Sequence, residues 1–81
     1  MIKVLFFAQI KELVGVDGLE VAAEFATADD LRQSLLSRGD KWLLALESGK
    51  LLVAVNQTIC RLDSAIKDGD EVAFFPPVTG G

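Results

Sequence analysis

The chain has 81 residues, 51% hydrophobic and 25% charged, which suits one small domain with a single core. Eight Lys and Arg against twelve Asp and Glu give a net charge of −4. With no basic run, nucleic-acid binding is the weakest class of reading and basic protein partners are favoured. With no histidine and one cysteine, Cys/His metal clusters, histidine-based triads and an internal disulfide are excluded, and a reducing cytoplasm is the expected location.

Ile2 to Ala8 is a near-continuous apolar run of strand length, the pattern of a central, covered strand. It is too short to span a membrane and lacks the charged lead-in and longer apolar run of a signal peptide. Gln9 to Val14 places Ile10, Leu13 and Val14 at helical spacing and stops at Gly15, a left-handed cap. Leu19, Val21, Ala23 and Phe25 alternate with Glu20, Ala22 and Glu24, predicting a half-buried strand.

Thr27 opens the clearest helix. Its hydroxyl can accept from the N–H near Asp30, and Asp29 and Asp30 stand at the positive end of the helix dipole. Ala28, Leu31 and Leu35 share a face, and Gly39 is read as the stop. Lys41 to Glu47 predicts a short further helix with Leu43 and Leu46 inward, followed by a turn at Ser48-Gly49-Lys50. Leu51 to Val55 reads as a buried strand, Asn56-Gln57-Thr58 as a turn, Ile59 to Leu62 as a short strand. Lys67-Asp68-Gly69-Asp70 is a turn before a last strand, Glu71 to Phe75. This order predicts an α+β domain with helices on one face of a mixed sheet.

No glycine-rich phosphate loop follows a strand, and no carboxylate pair has the spacing of an acid/base site. Cys60 stands in an apolar strand with no histidine to activate it and reads as a small hydrophobe near the core. Trp42, at helical distance from Leu46, reads as packing. Asp29 and Asp30 are helix-start residues, and Asp68 and Asp70 turn residues. The domain is not expected to catalyse a reaction by itself.

The remaining feature is the end of the sequence, Pro76-Pro77-Val78-Thr79-Gly80-Gly81. The prolines cannot donate to a sheet ladder and hold the chain extended as it leaves the sheet. Four residues beyond Pro77 reach about 13–14 Å, and Gly80 and Gly81, without Cβ atoms, can thread a channel closed to any other residue. A domain over 1–77 would thus present a flexible tail over 78–81. The only special group at its tip is the Gly81 carboxylate. A chain-terminal carboxyl with a reference pKa of about 3.3–3.7 is ionised at neutral pH, so it is a poor electrophile until activated, most simply by joining to AMP. Nothing in the chain forms a nucleotide site, so a separate enzyme must supply that step.

The stretch Asp68-Gly69-Asp70-Glu71-Val72-Ala73-Phe74-Phe75-Pro76-Pro77-Val78-Thr79-Gly80-Gly81 closely resembles the end of the small subunits of molybdopterin synthase. Ile2 to Ala8 with Ile10 to Gly15, and Val53-Ala54-Val55-Asn56-Gln57, resemble that family too. The resemblance implies a ubiquitin-like β-grasp fold with first and last strands parallel in mid-sheet. It also implies a sulfur carrier in molybdenum cofactor biosynthesis. An adenylating enzyme related to ubiquitin-activating enzymes would use ATP to form an acyl-adenylate on Gly81, and a sulfur donor system would convert it to a thiocarboxylate. The tail would then enter the large synthase subunit, in a heterotetramer with two copies of each chain, and pass sulfur to the cyclic pyranopterin precursor. The chain would be a non-catalytic subunit with no bound cofactor or metal, the catalytic groups coming from the large subunit.

Strand parity places Phe7 and Phe75 together on an exposed sheet face near the tail, a partner-binding patch to which Ile59, Pro76, Pro77, Val78 and Thr79 are assigned. Three other readings compete: a ubiquitin-like modifier conjugated through Gly81, a sulfur carrier for thiamine or tRNA thiolation, and an interaction module with an inert tail. The Phe74-Phe75-Pro76-Pro77 segment argues against the thiamine or tRNA reading.

Overall fold

A computed structural model describes residues 1–47 and 51–76. The predicted turn at Ser48-Gly49-Lys50, Pro77 and the predicted tail over 78–81 lie outside them. The elements follow the order β1 (Ile2–Phe6), α1 (Ala8–Val14), β2 (Gly18–Val21), α2 (Ala28–Leu36), α3 (Asp40–Leu46), β3 (Leu52–Val55), β4 (Thr58–Cys60) and β5 (Glu71–Phe75). The strands form one sheet in the order β2-β1-β5-β3-β4. β1 and β5 run parallel in its middle, and the other neighbours are antiparallel. This is the β-grasp arrangement.

The alternation of β1 and β5 decides which face the helices cover. Ile2, Val4, Phe6, Val72 and Phe74 are buried, and Val53 of β3 joins them opposite Phe74. Ala28, Leu31 and Leu35 of α2, Ile10 of α1 and Ala45 and Leu46 of α3 close over that side. Phe6 sits at the centre, edge-on to Trp42 at 5.5 Å and stacked with Phe74 at 6.3 Å. Trp42 is therefore a packing residue, with the Arg38 guanidinium 5.3 Å from its ring centre. Cys60 is half-buried against the core, as a small hydrophobe. Among the described residues no helix is long and apolar enough to cross a membrane.

Local signals act as expected at several points. Gly15 caps α1 with φ 81°, and Thr27 Oγ1 accepts from the Asp30 N–H at 3.1 Å. Arg32 locks α2 to α3: it pairs with Asp29 at 2.8 Å, and its Nη1 donates to the Leu46 carbonyl at 2.8 Å, satisfying an acceptor that the helix end leaves open.

Other expectations are corrected. The second strand stops at Val21 instead of running to Phe25. Val21 pairs with Ile2, the first residue of β1, so the ladder has no further partner, and the Glu24 N–H turns back to the Ala22 carbonyl. α2 ends at Leu36, and Gly39 (φ 155°) instead precedes α3 in a conformation reserved for glycine. In α3 the inward face is Trp42, Ala45 and Leu46, which leaves Leu43 exposed. The fourth strand is Thr58–Cys60, shifted toward the turn because Asn56 (φ 51°) and Gln57 (φ 70°) make a two-residue hairpin loop with both residues left-handed.

Candidate functional site

The candidate site lies on the face of the sheet opposite the helices. Register carries one row of side chains across it: Leu5 of β1 beside Ala73 of β5, Ala73 beside Ala54 of β3, and Ala54 beside Ile59 of β4. The next row towards the end of β5 holds Phe7 and Phe75. The backbone stays extended for one residue past β1, at Phe7 (φ −127°, ψ 155°), before Ala8 turns it with φ 53°. Phe7 therefore remains on the open face, and its ring stacks on Phe75 at 4.9 Å with 10° between planes.

The rows enclose a depression of about 440 Å³. Ala54 and Ala73, only 3% and 7% exposed, form its floor because their side chains end at Cβ. Ile59 (61% exposed) rises on one side and Phe7 (41%) with Phe75 on the other. Glu71 and Gln57 stand at the end away from Phe75. Exposed Phe7 and Ile59 and half-buried Phe75 around an apolar floor make a surface suited to docking another protein.

The predicted site residues divide clearly. Phe7, Phe75 and Ile59 are brought together around this depression, and Pro76 follows β5 half-buried. Pro77, Val78, Thr79, Gly80 and Gly81 lie outside the described residues. Leu5, Ala73 and Glu71 share the strand parity of Phe7 and Phe75, and with Ala54 and Gln57 they line the depression without being among the predicted site residues. Alanine at the centre of two strands, where branched residues usually pack, was the signal available for Ala54 and Ala73. The cross-strand register that aligns them could not be read from the chain.

At the far end of this face a polar network fixes the β3–β4 hairpin. Asp70 is the buried acidic residue of the described chain. Its Oδ1 accepts from Asn56 Nδ2 at 3.0 Å and its Oδ2 from the Lys67 N–H at 2.9 Å. These bonds favour the charged form and hold the carboxyl below its ordinary value of 3.8. Asn56 returns the link: its Oδ1 accepts from the Glu71 N–H at 3.0 Å, and its own N–H donates to the Glu71 carbonyl at 2.8 Å. Asp68 is paired with the Met1 amino group, which lowers its pKa by hydrogen bonding and then by charge. Asp29, Asp30, Asp68 and Asp70 are thus structural. Among the described residues no cluster of His, Cys, Asp and Glu could hold a metal.

The ThiS family model matches residues 4–81. The chain is 65% identical over 81 residues, all of both chains, to the molybdopterin synthase sulfur carrier subunit of Escherichia coli. In the protein-protein complex of subunits 1 and 2 of molybdopterin-converting factor from Helicobacter pylori, one chain superposes with a TM-score of 0.65 at 30% identity, covering 99% of this chain and 97% of that one. The H. volcanii small archaeal modifier protein 1 superposes with a TM-score of 0.70 at 27% identity, covering 95% and 97%. With a family model spanning nearly all of its length and so near a relative matched end to end, the chain belongs to the ThiS family and, within it, to the molybdopterin synthase sulfur carrier subunits.

Proposed function

We propose that this protein carries sulfur as a thiocarboxylate on Gly81 and delivers it to the cyclic pyranopterin precursor inside a large synthase subunit. The observation that supports this reading most is the end-to-end match to a sulfur carrier subunit, together with an exposed apolar face at the end of β5. The body acts as a handle that a partner grips beside the point where the chain continues past Pro76.

The chemistry follows from the group at the tip. The Gly81 carboxylate must lose an oxygen, and its leaving-group ability is poor. An adenylating partner joins it to AMP from ATP, releasing pyrophosphate, and sulfur delivered at the sulfide level by a donor displaces AMP to leave the thiocarboxylate. Sulfur in place of oxygen makes a soft nucleophile that attacks an electrophilic carbon of the precursor and displaces an oxygen leaving group. Water then cleaves the acyl C–S bond of the resulting thioester, which leaves the sulfur on the precursor and restores the Gly81 carboxylate. Proton transfer and oxyanion stabilisation fall to the large subunit. Gly80 and Gly81 thread its channel while Phe7, Ile59, Phe75 and Pro76, with Pro77, Val78 and Thr79, form the contact. The assembly is a cytoplasmic heterotetramer with two copies of each chain, and the carrier is its non-catalytic subunit.

A second reading draws on the likeness to a small archaeal modifier protein: Gly81 could form isopeptide bonds with lysines of other proteins. Intact-mass analysis of the protein from growing cells separates the two. An oxygen-for-sulfur increment on the free chain is the expected result. A ladder of conjugates without that increment would favour the modifier, and neither species would contradict both.

A further inference from the structure

Glu71 is the acidic side chain at the rim of the apolar depression. It is partly buried, its backbone is clamped by Asn56 on both N–H and carbonyl, and its side chain shares the open face with Ala73 and Phe75. Lys3 is its register partner on β1, and Glu20 stands opposite Lys3 on β2. The three make a row of two acids and one base, with a surplus of one negative charge. Among the described residues, no cation lies within 4 Å of the Glu71 carboxylate; the ion pairs of the body are made elsewhere, at Asp17, Asp29, Asp63 and Asp68.

This placement constrains whatever covers the depression. A partner that fills the space over Ala54 and Ala73 removes water from the Glu71 side of the rim. A carboxylate that loses water without gaining a cation carries a desolvation cost that offsets the gain from the apolar contacts beside it. We infer that Glu71 selects the docking partner by accepting a lysine or arginine from it, so that the segment entering the depression carries an apolar side chain for the alanine floor and a basic residue beside it. The inference rests on the sulfur-carrier reading, and the occupant is the large synthase subunit. Charge supports the pairing, since a chain of net charge −4 meets a basic surface most readily. One competing source of the cation lies on the chain itself: Lys3 could swing across to Glu71 once water is excluded.

The test measures binding of the large subunit to the full-length carrier at low and moderate salt, using wild type, Glu71→Gln, Lys3→Met and Phe75→Asp, with thermal unfolding of each carrier as a check on folding. Glu71→Gln is expected to weaken binding by about tenfold and to make it less sensitive to salt, while Lys3→Met binds at least as tightly as wild type. Undiminished affinity of Glu71→Gln at both salt concentrations overturns the inference. So does an equal loss in Lys3→Met, which would assign the cation to the chain itself. If Phe75→Asp weakens binding and Glu71→Gln does not, only the role of Glu71 fails. Absence of binding by wild type overturns the sulfur-carrier reading with it.

Discussion

Phe7 and Phe75 stack at 4.9 Å on the open side of the sheet, one just past the first strand and the other ending the last. Parallel pairing of β1 with β5 brings them together, and the pair stands beside the residue where the chain leaves the sheet. Replacing Phe75 by Asp removes the stack, worth about 0.5–1.5 kcal/mol beyond area burial, while leaving the helix-side core untouched. The expected outcome is a folded domain whose affinity for the large subunit falls by about 2 kcal/mol or more, the loss typical of a central aromatic anchor. Titration calorimetry checks the affinity and circular dichroism the fold.

Gly18 begins β2 where the backbone of β1 comes very close. A Cβ at this position would lie 2.5 Å from the Val4 carbonyl oxygen and 3.1 Å from Leu5 Cδ2. The carbonyl is backbone and cannot move aside without shifting the central strand. Gly18→Ala is expected to destabilise the domain by about 1–3 kcal/mol, read as a lower urea midpoint with an unchanged slope. Gly15→Ala would meet no atom within 4 Å and would strain only its own φ of 81°.

The Asp70–Asn56 link predicts how stability depends on acid. Asp70 titrates below 3.8 when folded because Asn56 Nδ2 and the Lys67 N–H donate to the charged carboxylate. Its contribution is full above that value and is lost as pH falls through the folded pKa. Asp70→Asn should therefore be less stable than wild type at neutral pH. The gap should narrow as the pH drops below 3.8, measured by denaturant unfolding across the acid range. A gap that stays constant with pH would assign the effect to shape rather than charge.

Thr27 offers a local check. Its hydroxyl accepts from Asp30 at the start of α2, and Thr27→Ala is expected to cost about 1 kcal/mol. Thermal unfolding measures the cost.

Much of this molecule could be read from the chain because its strongest signals are local. Thr27 with Asp29 and Asp30 announces a helix start, Gly15 a helix stop, and Lys67 to Asp70 a turn, and each lies where it was expected. Strand parity also put Phe7 and Phe75 on the open face. The misreadings are those settled by distant partners. Alternation at Ala23 and Phe25 continues past the point where β1 has residues to pair with Val21. Leu43 and Leu46 have the spacing of one helical face, but the position of Phe6 turns Trp42, Ala45 and Leu46 inward instead. Ala54, Ala73 and Glu71 come to line one depression only when β3 and β5 align in register.

The central claim is that Gly81 bears the sulfur, and single-turnover transfer tests it most directly. The full-length carrier and a form lacking Gly81 are each treated with the adenylating enzyme, ATP and sulfur donor, then mixed with the large subunit and the precursor. The account predicts product from the full-length chain and none from the shortened one, with the two unfolding at the same temperature. Equal product from both would contradict it.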